Sequence, residues 1–197
     1  MASVPARIVI LASGSGSNAE RIIKHFSTGG AGEQVARVVA VVSDRKRAGV
    51  HNRAASHDIP SRFVGKTRRS APGGLLEVLE AYTPDIVVLA GYLRLIPEDV
   101  LARFAERVVN IHPALLPHYG GHGMFGEHVH KAVAAAGETH SGITIHLANQ
   151  RYDEGRILFQ ASVSFPHGSA ALDIGARVLE LEHQHYPLVL EAYLKKF

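Results

Sequence analysis

Four continuous apolar runs, rich in β-branched residues, constrain the fold of this chain most strongly. They occupy residues 8–11, 38–42, 86–89 and 108–111. Segments with helical spacing of apolar residues, such as 75–82, separate the runs. Continuous apolar strands are covered on both faces, and strands that alternate with helices pair in parallel. We therefore predict an α/β fold: a doubly wound, mostly parallel sheet with helices on both faces.

The pattern changes in the second half of the chain. A stretch rich in Gly, His and Pro at 113–126 precedes a predicted helix at 127–136. Two further strands are predicted at 142–147 and 157–165, and they would extend the sheet. A last helix is predicted over residues 169–195, interrupted or kinked around proline 187, because proline lacks the backbone N–H that a helix interior uses.

The chain is expected to form a single domain over residues 1–197, since neither a repeat nor a linker is evident. Its length and its hydrophobic content of 46% suffice for a core without disulfides or metals. Within this domain, we distinguish an N-terminal half of about 1–109 from a C-terminal half of about 110–197.

Composition excludes several classes of function. Cysteine is absent, so a disulfide framework, a thiolate metal site and a cysteine nucleophile are all excluded, and we expect a reducing compartment, the cytoplasm. The net charge of +3 is too small to predict nucleic-acid binding, but it suits small anionic substrates. The apolar run at 8–12 is too short for a signal peptide or a membrane span, so no membrane partner is expected.

A glycine-rich loop is predicted between the first strand and the first helix. It comprises Gly14, Ser15, Gly16, Ser17 and Asn18. Backbone amides, hydroxyls and a helix N-terminus together favour anion binding there. The Gly-Lys-Ser/Thr ending of a P-loop is missing, so a monophosphate fits better than a nucleoside triphosphate.

Two alternatives for this loop stay open. With Ala19 it satisfies the loose dinucleotide pattern G-x-G-x-x-G/A, and Asp44 after the second strand resembles the acid that binds the ribose of NAD. The loop could also be a tight turn whose serines cap the helix.

A second candidate site lies at the end of the run 108–111. Asn110 and His112 are two residues apart on a strand, so both side chains emerge on one face at its carboxyl end. An amide and an imidazole together can stabilise an oxyanion, and the histidine can also transfer a proton. Asp153 and Glu154 are both candidates for an acid that orients the imidazole, and spacing does not choose between them.

No G-x-S-x-G nucleophile motif is present, which favours direct transfer to an acceptor on the substrate. The alternative is structural: Asn110 would cap a turn and His112 would bond a buried carbonyl.

Four motifs resemble those of the phosphoribosylglycinamide formyltransferase family, which belongs to the folate-dependent formyltransferases. They are SGSGSN at 13–18, AGYLR at 90–94, NIHPALLP at 110–117 and YDEG at 152–155. The resemblance covers nearly the whole chain. The Asn-x-His-Pro element with a downstream Asp identifies the chemistry, and the glycine loop discriminates within the superfamily.

The resemblance implies the formyltransferase fold and transfer of a formyl group from 10-formyltetrahydrofolate to the amine of glycinamide ribonucleotide, in purine biosynthesis and without a metal. The implied catalytic residues are Asn110 and His112, which hold the formyl oxygen, and Asp153, which raises the pKa of the histidine. The N-terminal half would bind the nucleotide and the C-terminal half the folate. The implied assembly is a monomer or a homodimer, with no nucleic-acid partner.

The resemblance also carries binding residues over to this chain. The ribonucleotide would be bound by Gly14, Ser15, Gly16, Ser17, Asn18 and Glu182. The folate would be bound by Leu93, Arg94, Leu95, Ile96, Asn110, Asn149 and Asp153. The loop at 118–126 is longer and richer in glycine than the enterobacterial pattern, and Ser141 stands where that pattern has a histidine.

Three other functions are weighed against this one. A formyltetrahydrofolate hydrolase would use the same Asn, His and Asp with water as acceptor. A methionyl-tRNA formyltransferase is disfavoured, because the sequence has neither an additional C-terminal domain nor a basic surface. An NAD-binding or nucleotide-binding module would explain the glycine loop but not Asn110 and His112.

Overall fold

The computed structural model describes residues 4–196, which build one α/β domain around a seven-stranded sheet. The strand order is β3-β2-β1-β4-β5-β6-β7. The strands are β1 Ala6–Leu11, β2 Ala36–Ser43, β3 Ser61–Phe63, β4 Ile86–Leu89, β5 Val108–His112, β6 His140–Leu147 and β7 Ile157–Ser164.

The first five strands pair in parallel, and β6 and β7 extend the sheet in antiparallel pairing. The chain runs outward from β1 in both directions, since β2 lies on one side of β1 and β4 on the other. Such a reversal opens a crevice at the carboxyl ends of the strands, where α/β sheets bind ligands. The predicted doubly wound, mostly parallel sheet is confirmed.

Helices cover both faces of the sheet. They are α1 Ser17–Phe26, α2 Val50–Ala55, α3 Lys66–Ser70, α4 Gly74–Glu80, α5 Glu98–Arg103, α6 Glu127–Ala135 and α7 Ala171–Leu194. One core packs α1, α6 and α7 against the sheet, and a second core packs α4 and α5 against the opposite face. In β1, Ile8 and Ile10 belong to the first core and Val9 and Leu11 to the second, which explains why the run is apolar throughout.

Helix α7 lacks the interruption that was one of the two outcomes predicted at Pro187, the other being a kink. It continues without interruption through Pro187, which is buried within it. The neighbouring Tyr186 hydroxyl donates to the carbonyl oxygens of Leu89, at 3.1 Å, and Val109, at 3.0 Å. These bonds tie the helix to β4 and β5, so tertiary packing supports an uninterrupted helix around Pro187.

Candidate active site

The carboxyl edge of the sheet forms a cleft of about 1130 Å³. Most of the predicted site residues line it together: Gly14, Asn18, Leu93, Arg94, Leu95, Ile96, Asn110, His112, Asn149, Asp153 and Glu182. Ser15, Gly16 and Ser17 do not line the cleft. Its volume lies slightly above the usual range for small-molecule sites, about 300–1,000 Å³.

Asn110 and His112 lie in β5 with the two-residue spacing that places their side chains on one face. His112 is almost fully buried, whereas Asn110 is partly exposed to the cleft. In the antiparallel pairing with β6, Asn110 lies opposite His146. The Asn110 amide Nδ2 is 3.0 Å from His146 Nε2.

His146 is a site residue that the sequence analysis missed. Its Nδ1–H donates to the carbonyl oxygen of Leu147 at 2.9 Å, which leaves Nε2 of the neutral ring to accept from Asn110. The same Nε2 is 3.6 Å from Asp153 Oδ1. His146 therefore fixes the orientation of the Asn110 side chain, and its ring also lies beside the Asp153 carboxylate.

Asp153 lies close to His112, where the sequence analysis expects an acid, and also close to His146. Its Oδ2 is 3.4 Å from His112 Nδ1 and accepts a hydrogen bond from the Gly121 amide at 3.0 Å. On the other side of the ring, His112 Nε2 is 2.8 Å from the carbonyl oxygen of Tyr119. Glu154 is instead exposed and pairs with Arg151 at 3.2 Å, so of the two candidate acids Asp153 is the one beside His112.

For both Asp153 and His112, burial and the neighbouring groups shift the pKa in opposite directions. Burial raises the pKa of Asp153, but the nearby ring of His146, the charge of His112 and the hydrogen bond from the Gly121 amide together hold it below its ordinary value. Burial lowers the pKa of His112 more than the Asp153 charge and the Tyr119 hydrogen bond raise it. The effect of Asp153 has the expected sign, but the net shift of the histidine pKa is downward.

Both ring nitrogens of His112 face oxygen acceptors, so only the imidazolium form donates to Asp153 and Tyr119 together. Burial opposes that cation. The surroundings of the ring thus contain acceptors that favour the imidazolium form and burial that disfavours it. An oxyanion that approaches the ring would have to take the place of the Tyr119 carbonyl oxygen.

Only part of the glycine loop faces the cleft. Gly14 and Asn18 line the cleft, whereas Gly16 is buried in the left-handed conformation, with φ 81°. A Cβ at Gly16 would lie 2.5 Å from Val50 Cγ2, so α2 packs directly beneath the loop. Gly16 thus serves close packing and the entry into α1, which starts at Ser17.

Glu182 reaches the cleft from α7, and only 8% of the residue is exposed. Its Oε2 accepts a hydrogen bond from Asn18 Nδ2 at 2.7 Å, which links α7 to the glycine loop. Burial raises the pKa of Glu182 to about 7, and the Asn18 hydrogen bond only partly offsets this. The carboxylate is therefore poised to exchange its proton near neutral pH.

Replacement of Glu182 by glutamine is expected to stabilise the protein more at pH 8 than at pH 5. The folded-state pKa of about 7 lies above the ordinary 4.5. The folded protein therefore binds the Glu182 proton more tightly than the unfolded chain does. The resulting contribution to the free energy of unfolding is complete below pH 4.5 and is lost as the pH rises through 7. Denaturant unfolding should show a gain for Glu182→Gln that is roughly 2 kcal/mol larger at pH 8 than at pH 5.

The matched control for this prediction is Glu180→Gln, which alters an exposed acid on the same helix. Its free energy of unfolding should follow the wild type at both pH values. A gain for Glu182→Gln that does not change with pH would contradict the raised pKa.

Asp44, the acid that would bind the ribose in the dinucleotide alternative, has a buried side chain that is bonded to Arg94. Its buried carboxylate accepts a hydrogen bond from Arg94 Nε at 2.8 Å. The side chain is only 1% exposed and so is not presented to a ribose, which argues against NAD.

Two further findings concern the described residues 4–196. No group of three or more His, Cys, Asp or Glu side chains is placed to hold a metal ion. Within the same range, no helix has the length and apolar character needed to cross a membrane.

Comparisons with known proteins agree with this geometry. Residues 6–190 match the family model described as formyl transferase. The phosphoribosylglycinamide formyltransferase of Escherichia coli (strain K12) is 34% identical, over 93% of this chain and 84% of that protein. The chloroplastic phosphoribosylglycinamide formyltransferase of Arabidopsis thaliana is 40% identical over 94% of this chain, and the chain spans only 64% of that longer protein.

A solved structure extends the likeness to the fold. The crystal structure of phosphoribosylglycinamide formyltransferase from Brucella melitensis superposes with a TM-score of 0.85 at 36% identity, covering 97% of this chain and 96% of that one. The segment 6–190 that matches the family model includes β5, the loop after β6 and the greater part of α7, which carry residues of the cleft. The chain therefore belongs to the formyl transferase family, and its relatives named above are phosphoribosylglycinamide formyltransferases.

Proposed function

We propose that this protein transfers the formyl group of 10-formyltetrahydrofolate to the amino group of glycinamide ribonucleotide, a step of purine biosynthesis. The observation that carries the proposal is the convergence of Asn110, His112 and Asp153 in one cleft. The same cleft reaches Gly14 and Asn18 of the glycine loop, so an anionic acceptor and a formyl donor can meet there.

In the proposed reaction, the acceptor amine attacks the formyl carbon and forms a C–N bond. The formyl oxygen becomes anionic and is stabilised by the Asn110 amide and by His112, once that ring has exchanged the Tyr119 carbonyl for the substrate. The bond from the formyl carbon to folate N10 then breaks. The proton lost by the amine passes to N10, and Asp153 supports the transfer by stabilising the His112 cation.

The two halves of the chain supply different parts of this proposed site. Residues 1–109 would contribute the phosphate end through Gly14 and Asn18, and the folate wall at 93–96. Residues 110–197 would contribute the catalytic residues and Glu182, which we assign to the ribose hydroxyls of the acceptor. We also propose a cytoplasmic location, which the absence of cysteine favours.

A formyl-transfer assay tests the proposed function. Purified protein with 10-formyltetrahydrofolate and glycinamide ribonucleotide should release tetrahydrofolate together with an equal amount of formylated ribonucleotide. Without the ribonucleotide, release should be slower by orders of magnitude. Rapid formation of formate without an amine would instead support a hydrolase, and saturable NAD binding with no transfer would support a dinucleotide-binding module.

A further inference from the structure

Three loops meet beside the cleft through a buried carboxylate that the proposed chemistry does not use. Asp44 directly follows β2, Ser13 follows β1 and Arg94 follows β4. The Asp44 side chain is 1% exposed, although its residue lies at the edge of the sheet. A carboxylate so deeply buried is costly unless partners neutralise it, so its partners indicate its role.

The principal partner of Asp44 is Arg94. Its Nε donates to Asp44 Oδ2 at 2.8 Å, and the Arg94 side chain is 49% exposed at the wall of the cleft. Burial raises the pKa of Asp44, but the nearby Ser13 hydroxyl and Arg94 guanidinium hold it below its ordinary value. Asp44 is therefore ionised at neutral pH and fixes one edge of the guanidinium.

The remaining edge of that guanidinium is free to bind a ligand. Within residues 4–196, Arg94 has no hydrogen-bond partner other than Asp44. Its four Nη hydrogens hence have no protein acceptor, and their direction is set by the bond at Nε. Oxygen atoms of a ligand, above all a carboxylate, are the partners that such a planar set of donors favours.

The same three loops are also connected through their backbones. The Leu93 amide donates to Ser13 Oγ at 3.0 Å, and the Ser13 amide donates to the Gly91 carbonyl oxygen at 3.0 Å. The position of the wall at 93–96 thus depends on the loop after β1. Asp44 is bonded to Arg94 of this wall and lies near the Ser13 hydroxyl of the loop.

We propose that Asp44 is a positioning residue, whose buried carboxylate holds Arg94 in the cleft wall and thereby sets the affinity for the formyl donor. The inference rests on the proposed function, since it takes the ligand of Arg94 to be the folate. Asp44 touches neither reacting atom, so it governs binding and leaves the chemical step unchanged.

A double-mutant cycle with Asp44→Asn and Arg94→Lys tests this inference. Binding of tetrahydrofolate alone is measured by calorimetry, and KM for each substrate and kcat are measured in the transfer assay. Asp44→Asn keeps the shape of the side chain and removes its charge. We expect its Kd for tetrahydrofolate and its KM for the donor to rise about tenfold, with kcat and the ribonucleotide KM within about twofold.

The cycle distinguishes positioning from a general structural effect. If Asp44 acts through Arg94, the double variant binds tetrahydrofolate no more weakly than Arg94→Lys alone. Glu80→Gln is the control, because it removes the carboxylate of an exposed pair with Arg103 and should change neither Kd nor kcat. Thermal unfolding shows whether each variant remains folded.

Two results would overturn the inference while leaving the proposed function intact. One is an Asp44→Asn variant with wild-type Kd for tetrahydrofolate. The other is additive loss of affinity in the double variant, which would mean that Asp44 acts independently of Arg94. A wild-type protein that neither binds tetrahydrofolate nor transfers formyl would refute the proposed function itself, together with the inference that depends on it.

Discussion

His112→Ala is expected to lower kcat for formyl transfer by about two orders of magnitude or more, the scale of losing an oxyanion donor or a general acid–base group. The imidazole is buried between Asp153 Oδ2, 3.4 Å from Nδ1, and the Tyr119 carbonyl oxygen, 2.8 Å from Nε2. Alanine removes both contacts, together with the imidazole that would donate to the formyl oxygen and transfer a proton. Steady-state rates at saturating substrates measure the effect.

Two variants keep this test independent of folding. His112→Gln retains a polar side chain that can donate to one neighbour, and it should be as inactive while unfolding at a temperature near that of the wild type. His167→Ala removes an exposed histidine outside the cleft and should retain full activity. A folded His112→Ala protein with undiminished turnover would refute the catalytic assignment.

Asp153→Asn is expected to slow turnover by roughly tenfold or more, the scale of one unit of pKa. The Asp153 charge raises the pKa of His112 against the larger, lowering effect of burial. Without that charge the pKa of His112 falls further, so the limb of the pH–rate profile that reports the imidazole should move to lower pH. The profile of kcat/KM measured between pH 5 and pH 9 tests the shift.

The matched control is Glu154→Gln, since Glu154 is the adjacent acid that sequence spacing alone could not exclude. It is exposed and contacts Arg151, so its removal should leave the pH–rate profile as in the wild type. A shift caused by Glu154→Gln and not by Asp153→Asn would reverse the assignment of the two acids.

The sequence was sufficient to predict the sheet and the two residues on β5. Continuous apolar runs predict buried parallel strands, and the spacing of Asn110 and His112 follows from the two-residue period of a strand. His146 was missed because its role depends on the antiparallel register that places it opposite Asn110. No local pattern in β6 encodes that register, which is set by packing across the whole sheet.

The glycine loop illustrates a different limit. The sequence correctly placed this loop between the first strand and the N-terminus of the first helix, although no serine side chain caps that helix. Composition does not separate residues that face a ligand from those that support the turn. Gly14 and Asn18 line the cleft, whereas Gly16 is required where Val50 packs against the backbone. That contact joins segments more than 30 residues apart, so it appears only in the folded chain.

The helix with Glu182 shows tertiary structure overriding local propensity. Pro187 predicted an interruption or a kink in α7, yet the helix is uninterrupted, and Tyr186 anchors it to β4 and β5. The anchored helix brings Glu182 within 2.7 Å of Asn18. The contact between the two ends of the chain therefore depends on a helix whose continuity the sequence did not predict.

The fate of the formyl group in a single turnover tests the central claim most directly. Excess protein is mixed with 10-formyltetrahydrofolate radiolabelled in the formyl group and with saturating glycinamide ribonucleotide, and the reaction is quenched and separated. We predict that the label appears in the formylated ribonucleotide, and that His112→Ala abolishes this within the same time. Label recovered as formate despite saturating ribonucleotide would contradict a cleft built for transfer to an amine.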